Sequence, residues 1–240
     1  MSPIYLSFII PAFNEEKRIH STLEATIQYL SKQSFSWEIL VMDDGSTDKT
    51  ALLVKTFCSS DPRVQLITLP HKGKGFAVQQ GMLQAAGGYR FFADADLSMP
   101  IDQFDRFSPE LIGDFDIAIA SREILGARRL KEPRLRYIMG RAFNLITRLV
   151  ALKDISDTQC GFKLFKAEIA DRLFSLQRTK GFSFDIEILF LAQKSGLNIK
   201  EIPIDWYYNG ESKVQRFRDA FLMIKDIIII RFNYLLGKYK

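Results

Sequence analysis

The chain has 240 residues, 47% hydrophobic, 12% aromatic and 25% charged, with a net charge of +5, which excludes disordered, collagen-like and low-complexity proteins and fits one large core. Two distant cysteines, Cys58 and Cys160, form no CxxC, and His20 and His71 stand outside any metal-ligand spacing. No zinc site or disulfide framework is therefore expected, and a reducing, cytoplasmic compartment is. The charge is uneven: Ser121 to Lys153 holds nine Lys/Arg (Arg122, Arg128, Arg129, Lys131, Arg134, Arg136, Arg141, Arg148, Lys153) against Glu123 and Glu132. An excess of this kind points to an anionic partner at that place.

In chain order, Met1–Tyr5 has no basic lead and the apolar run after it breaks at Pro11 and Asn14, so it reads as a first strand, Leu6 to Ile10, and not a signal peptide. A helical pattern follows from Glu15 to Gln33, then a strand from Glu38 to Met42 and a helix opening near Ser46. Val64 to Leu69 and Gly75 to Ala86 repeat the theme. Tyr89 to Ala93 and Phe115 to Ala120 supply two more strands, with Ile101 to Ile112 between them. Continuous apolar strands alternating with helices predict an α/β domain whose mostly parallel sheet is covered on both faces. No repeat or linker divides residues 1–240.

In the second half, Pro133 opens a helix over about 133–152 in which Leu135, Ile138, Ala142, Leu145 and Leu149 share one face and Arg134, Arg141 and Arg148 another: a basic amphipathic helix. A last helix, about 214–237, sets a polar stripe of Arg218, Asp219, Lys225, Asp226 and Asn233 against a wide apolar face with Phe221, Leu222, Ile224, Ile228 and Leu235. Its most apolar part, Ala220 to Leu236, contains Lys225, Asp226, Arg231 and Asn233, too many polar groups to cross a bilayer simply.

Ligands of such sheets bind at the carboxyl ends of the strands. The four strand ends here carry Pro11-Ala12-Phe13-Asn14-Glu15-Glu16, Asp43-Asp44-Gly45-Ser46-Thr47-Asp48, His71-Lys72-Gly73-Lys74-Gly75 and Asp94-Ala95-Asp96-Leu97-Ser98. Asp94 and Asp96 can approach one hard cation, Mg²⁺ or Mn²⁺, whose shell water and phosphate oxygens complete. The carboxylates of Asp43 and Asp44 can accept hydrogen bonds from a base imide or ribose hydroxyls, and the Lys-Gly-Lys-Gly turn can set a cation and bare amides near phosphate. Each stretch alone also fits a plainer role: a solvated turn with Asp96 or Ser98 capping a helix, or a glycine-rich helix start. Together they describe a metal–diphosphate–nucleoside pocket. A P-loop is excluded because Gly73-Lys74-Gly75 lacks the upstream glycine and the following Ser/Thr, and GxGxxG fails at Val78.

Pro11-Ala12-Phe13-Asn14-Glu15, Asp43-Asp44-Gly45-Ser46 and Asp94-Ala95-Asp96-Leu97-Ser98 resemble the successive motifs of family-2 glycosyltransferases of the GT-A fold. Asp157-Thr158-Gln159-Cys160-Gly161-Phe162-Lys163-Leu164-Phe165 and Glu211-Ser212-Lys213 resemble the dolichyl-phosphate glucosyltransferase branch, close to the dolichyl-phosphate mannose synthases. The resemblance implies a nucleotide-sugar half, 1–120, with contacts at Pro11, Ala12, Asn14, Glu15, Asp43, Asp44, Gly45, Ser46, Lys74 and Gly75. It implies a divalent cation on Asp94 and Asp96, with Ser98 where mannose synthases place a ligating Gln. It further implies an acceptor half, 121–240, holding phosphate through Arg122, Arg136 and Lys213, with Gly140 where that site has a serine. Asp94, Asp96 and Arg122 are the expected catalytic residues.

The expected chemistry is inverting transfer of a hexose, glucose by this resemblance, from a nucleotide sugar such as UDP-glucose to a polyprenyl or dolichyl phosphate. Such a phosphate, with a second pKa near 6, is already anionic and needs no general base. Alternatives are GDP-mannose or another donor, or a saccharide hydroxyl acceptor, for which Asp157 would be the base. The QxxRW signature of processive synthases is absent from the sequence. Expected partners are the donor, the lipid phosphate and a membrane surface, with a membrane protein a further candidate, and the expected location is peripheral, on the cytoplasmic face of a membrane. A nucleic-acid-binding or membrane-surface binding module is the reading of another class. Nucleic acid is disfavoured, because the basic residues share their helix with an apolar stripe and no nucleic-acid motif accompanies them.

Overall fold

The computed structural model describes residues 3–209 and 216–239. A seven-stranded sheet of order β3-β2-β1-β4-β7-β5-β8 forms its centre. Its strands are β1 (Leu6–Ala12), β2 (Trp37–Asp43), β3 (Val64–Thr68), β4 (Tyr89–Ala93), β5 (Ile117–Ser121), β7 (Phe162–Lys166) and β8 (Ile199–Pro203). All run one way except β7, which lies antiparallel between β4 and β5. A small parallel pair, β6 (Arg128–Leu130) with β9 (Asp205–Tyr207), flanks it.

The helices are α1 (Ile19–Leu30), α2 (Thr50–Ser60), α3 (Lys74–Gln84), α4 (Pro109–Ile112), α5 (Arg134–Val150), α6 (Ala167–Leu176), α7 (Phe184–Lys194) and α8 (Arg216–Leu235), with a 3₁₀ segment at Ile101–Phe107. They cover both faces. Every residue of β1 and β2 is buried, as continuous apolar strands require. Alternation divides the core: Ile9, Met42 and Phe92 pack with α3, α6, α7 and α8 on one side, while Phe8, Ile10, Val41 and Phe91 pack with α1, α2 and the 3₁₀ segment on the other. The expected α/β sandwich is present, and its two long amphipathic helices fall where the periodicity placed them.

Two helices start later than the pattern suggested, at Ile19 and Thr50. The preceding residues are spent on each other. The Asn14 amide donates to Ser46 Oγ at 2.9 Å, the Thr47 amide to Asn14 Oδ1 at 2.8 Å and the Glu15 amide to Thr50 Oγ1 at 2.7 Å. Side chains that satisfy a neighbouring loop's amides compete with helix formation. These bonds lace the loop after β1 to the loop after β2.

On α8, Met223, Ile227 and Ile230 are buried, whereas Ile228, Phe232 and Leu235 are 60%, 60% and 79% exposed. On α5, Ile138 and Leu145 are exposed beside Arg134, Arg141 and Arg148. Among the described residues no helix is long and apolar enough to cross a membrane.

Candidate active site

Because β1, β2, β4 and β5 point the same way, their carboxyl ends share one edge of the sheet. Antiparallel β7 brings its amino end there, pairing Phe162 with Ala93. Residues from both halves of the chain therefore meet: Asn14, Asp43 and Asp44, Lys74, Asp94 and Asp96, Arg122, and the segment Asp157–Gly161.

On the side of β1 and β2, Pro11 and Ala12 are buried in the strand. Asn14 stands at φ +52°, a left-handed conformation that asparagine tolerates, with its side chain on Thr47. Asp43 and Asp44 are 1% and 2% exposed, and their carboxylates are spent on loop amides. Asp43 Oδ1 accepts from the Ser46 amide at 3.0 Å, and Asp44 accepts from the Lys72 and Gly73 amides at 2.9 and 2.8 Å. His71 Nδ1 lies 2.8 Å from Asp44 Oδ2, and the imidazole stacks on Phe13 at 4.1 Å. Gly45, at φ +74°, lets this turn pass His71, whose amide nitrogen would lie 3.0 Å from an added Cβ.

The turn after β4 carries the paired carboxylates. Lys74 Nζ lies 2.5 Å from Asp94 Oδ1. Burial disfavours the lysine charge, but Asp94, Asp185 and Asp96 outweigh it and hold the ammonium above its usual range. Asp96 is raised, by burial first and by the charge of Asp94 second, the pattern of two like charges crowded together. It is braced by the Ser98 amide at 2.9 Å, and Asn209 Nδ2 donates to its carbonyl at 2.9 Å. Ser98 itself is buried at 4% exposure. Leu97 between them stands at φ +44°, a strained conformation for a branched residue and one that concentrates at functional turns.

Gly161 abuts this turn. A Cβ there would lie 2.1 Å from Asp94 Oδ2. Behind it Lys163, 1% exposed on β7, places Nζ 2.6 Å from both the Cys160 carbonyl and Asp185 Oδ1. Burial holds the Asp185 carboxyl up against the pull of Lys163 and Lys74, and burial pushes the Cys160 thiol up to about 12, so that thiol is no nucleophile at neutral pH. The Lys74 turn is seated by close packing: a Cβ on Gly75 would meet the Gly181 carbonyl at 2.6 Å, and one on Gly73 the Lys180 carbonyl at 2.8 Å.

On the remaining side, Arg122 follows β5 and grips Asp157 in a fork, Nε to Oδ2 at 2.7 Å and an Nη to Oδ1 at 2.9 Å, with the Arg122 amide also donating at 3.0 Å. Burial alone would raise the Asp157 carboxyl; the arginine reverses this and lowers it to about 2. Glu201 accepts from the Ser156 and Asp157 amides, and the Arg122 guanidinium lies 5.3 Å from the Trp206 ring centroid. Beside this pair a groove of about 300 Å³ is lined by Glu123, Arg141, Asn144, Leu145, Arg148 and Ser156. Much of the basic segment is internally paired: Arg128 with Asp205, Arg129 with Glu123 and Glu132, and Arg141 with Glu123. Gly140 sits on exposed α5. The Arg136 side chain and Lys213 lie outside the described residues.

Paired carboxylates on one turn, one already against an ammonium, suit a hard divalent cation that completes its shell with water and phosphate oxygens. Among the described residues no three His, Cys, Asp or Glu side chains cluster as a fuller metal cage.

Residues 7–174 match the family model of glycosyl transferase family 2. The chain belongs to that family. It is 39% identical over 251 residues to the dolichyl-phosphate beta-glucosyltransferase of Dictyostelium discoideum, covering 99% of this chain and 77% of that protein. It is 35% identical over 257 residues to the Saccharomyces cerevisiae dolichyl-phosphate beta-glucosyltransferase, covering 99% and 77%. The fold is also that of Mycobacterium tuberculosis glucosyl-3-phosphoglycerate synthase, crystallised with Mn²⁺, UDP-glucose and phosphoglyceric acid, at TM-score 0.66 and 18% identity over 98% of this chain and 80% of that one. This glycosyltransferase thus has the GT-A fold that its motifs implied. Sequence reading quoted His71, Gly161 and Lys163 within longer motifs but gave none of them a role, and it did not single out Asp185. Only the glycine before an apolar strand hinted at a close approach.

Proposed function

We propose that this glycosyltransferase moves glucose from UDP-glucose to a dolichyl or other polyprenyl phosphate, with inversion, using a divalent cation on Asp94 and Asp96. One observation carries the choice of acceptor. The buried carboxylate on the acceptor side, Asp157, is engaged by a cation, Arg122. A carboxyl held at about 2 is a poor proton acceptor for a sugar hydroxyl, whereas a lipid phosphate arrives already anionic. The likeness to two dolichyl-phosphate beta-glucosyltransferases supports the same acceptor and sugar.

In this reading the loops laced by Asn14, Ser46 and Asp44 form the nucleoside floor, with Pro11, Ala12, Glu15, Asp43 and Gly45 shaping it. Lys74 and the amide of Gly75 lie beside the diphosphate. The cation, when bound, offsets charge on the departing nucleoside diphosphate. Ser98 braces Asp96. Arg122, fixed by Asp157, turns its remaining N–H groups to the acceptor phosphate and aims it at the anomeric carbon, helped by Arg136, Lys213 and the backbone at Gly140. The groove along α5 leads the lipid phosphate to Arg122. Exposed apolar residues on α5 and α8, with arginines worth about 1 kcal/mol each near anionic headgroups, hold the protein on the cytoplasmic face of a membrane.

The test is incubation of purified protein and Mn²⁺ with radiolabelled UDP-glucose or GDP-mannose and either polyprenyl phosphate or a free saccharide. Label from UDP-glucose in polyprenyl phosphate, lost in Asp96→Asn, is the expected result. Transfer only to saccharide hydroxyls, or full turnover by Asp96→Asn, overturns the reading.

A further inference from the structure

The ion pair between Lys74 and Asp94 has a consequence for how the donor and the cation assemble, resting on the reading that Asp94 and Asp96 hold the cation. Lys74 Nζ is 2.5 Å from Asp94 Oδ1. Neither partner is free to give way as a whole. Asp94 is backed by Gly161, with no room for one added carbon. The Lys74 main chain is seated by Gly73 and Gly75 against the carbonyls of Lys180 and Gly181, and the Phe76 amide donates to the Lys180 carbonyl at 3.0 Å. The lysine side chain, long and unbranched, is the part that can swing clear of the contact.

An ammonium on a carboxylate oxygen and a divalent cation on the same carboxylate repel each other across a few ångströms, in a setting less polar than water. The short contact makes the ammonium the resident partner of that carboxylate. A nucleoside diphosphate changes the balance, because its oxygens accept both the ammonium and the cation. We propose that Lys74 is a built-in counter-cation of Asp94, which suppresses divalent cation binding until a diphosphate draws the side chain off the carboxylate. Cation and diphosphate then bind with positive coupling, each raising the affinity of the other by the same factor. The device keeps the paired aspartates satisfied between turnovers and ties cation loading to the presence of donor.

The experiment measures Mn²⁺ binding directly, from the electron paramagnetic resonance signal of free Mn²⁺, for wild type, Lys74→Met, Lys74→Arg and Asp96→Asn, each with and without UDP. Wild type is expected to bind Mn²⁺ about tenfold or more tightly with UDP than without, within the usual range of coupling. Lys74→Met is expected to bind Mn²⁺ without UDP several-fold more tightly than wild type and to lose most of the UDP effect, while Lys74→Arg keeps the wild-type pattern. Equal Mn²⁺ affinity of Lys74→Met and wild type without UDP overturns the proposal and leaves the cation site standing. Unchanged Mn²⁺ affinity in Asp96→Asn instead overturns the cation site itself. Circular dichroism melts of each variant confirm that the folded protein is what is titrated.

Discussion

Gly161→Ala tests the site at the point where the fold leaves least room. The added Cβ would lie 2.1 Å from Asp94 Oδ2, 2.5 Å from Cγ and 2.8 Å from Oδ1, where ordinary contact begins at 3.4 Å. The nearer oxygen must therefore retreat by about 1.3 Å, half or more of a typical cation–oxygen bond of about 2.0–2.6 Å. Gly161 is not among the glycines with positive φ, so alanine meets no backbone strain and the conflict falls on the Asp94 side chain. Rotating it away breaks the contact with Lys74 and removes a carboxylate from the proposed cation site. Loss of one preorganised electrostatic contact lowers turnover by about 10²–10³, whereas the packing cost is about 1–3 kcal/mol. At this chain length that is a fall in Tm of only several degrees. The assay is transfer of labelled glucose to polyprenyl phosphate at saturating Mn²⁺, paired with a thermal melt. A folded Gly161→Ala enzyme with turnover within threefold of wild type would refute the assignment of Asp94.

Two further outcomes follow from the buried ion pairs. Asp157 is held at about 2 against an ordinary 3.8, so its share of stability, about 2 kcal/mol, is present in full above pH 3.8 and is lost as the pH falls from there through about 2. The urea-unfolding gap between wild type and Asp157→Asn should accordingly shrink between pH 6 and pH 2.5, and a constant gap contradicts the pairing with Arg122. Lys163→Met leaves the Asp185 carboxylate buried without its ammonium and should cost about 3–5 kcal/mol. The double variant Lys163→Met/Asp185→Leu should regain much of that in the same unfolding experiment, and strictly additive losses would show that the two do not act as a pair.

Much of this protein was legible in its residue order. The apolar runs of β1, β2 and β4 can exist only as strands buried on both faces, and the acidic and glycine-rich stretches that end them must then share an edge of the sheet. The motif around Asp94 and Asp96 announced two carboxylates on one turn after β4, and the fold has that turn at the shared edge. The periodicity from Pro133 onward likewise placed α5, although Ile138 and Leu145, assigned to its apolar face, are exposed beside the arginines.

Tertiary structure decided the rest, because it depends on contacts between residues far apart in the chain. The sequence offered Asp43 and Asp44 as hydrogen-bond acceptors without showing what they already hold, and the fold sets both against amides of their own and a neighbouring loop. It offered Asp157 as a base only for a saccharide acceptor, and the fold pairs that carboxylate with Arg122, 35 residues away. The reversed direction of β7 brings Gly161 against Asp94 and Lys163 beneath it. Hydrophobic periodicity reports which face of an element is buried, but electrostatic partnership is settled by distances of a few ångströms that only the packed sheet supplies.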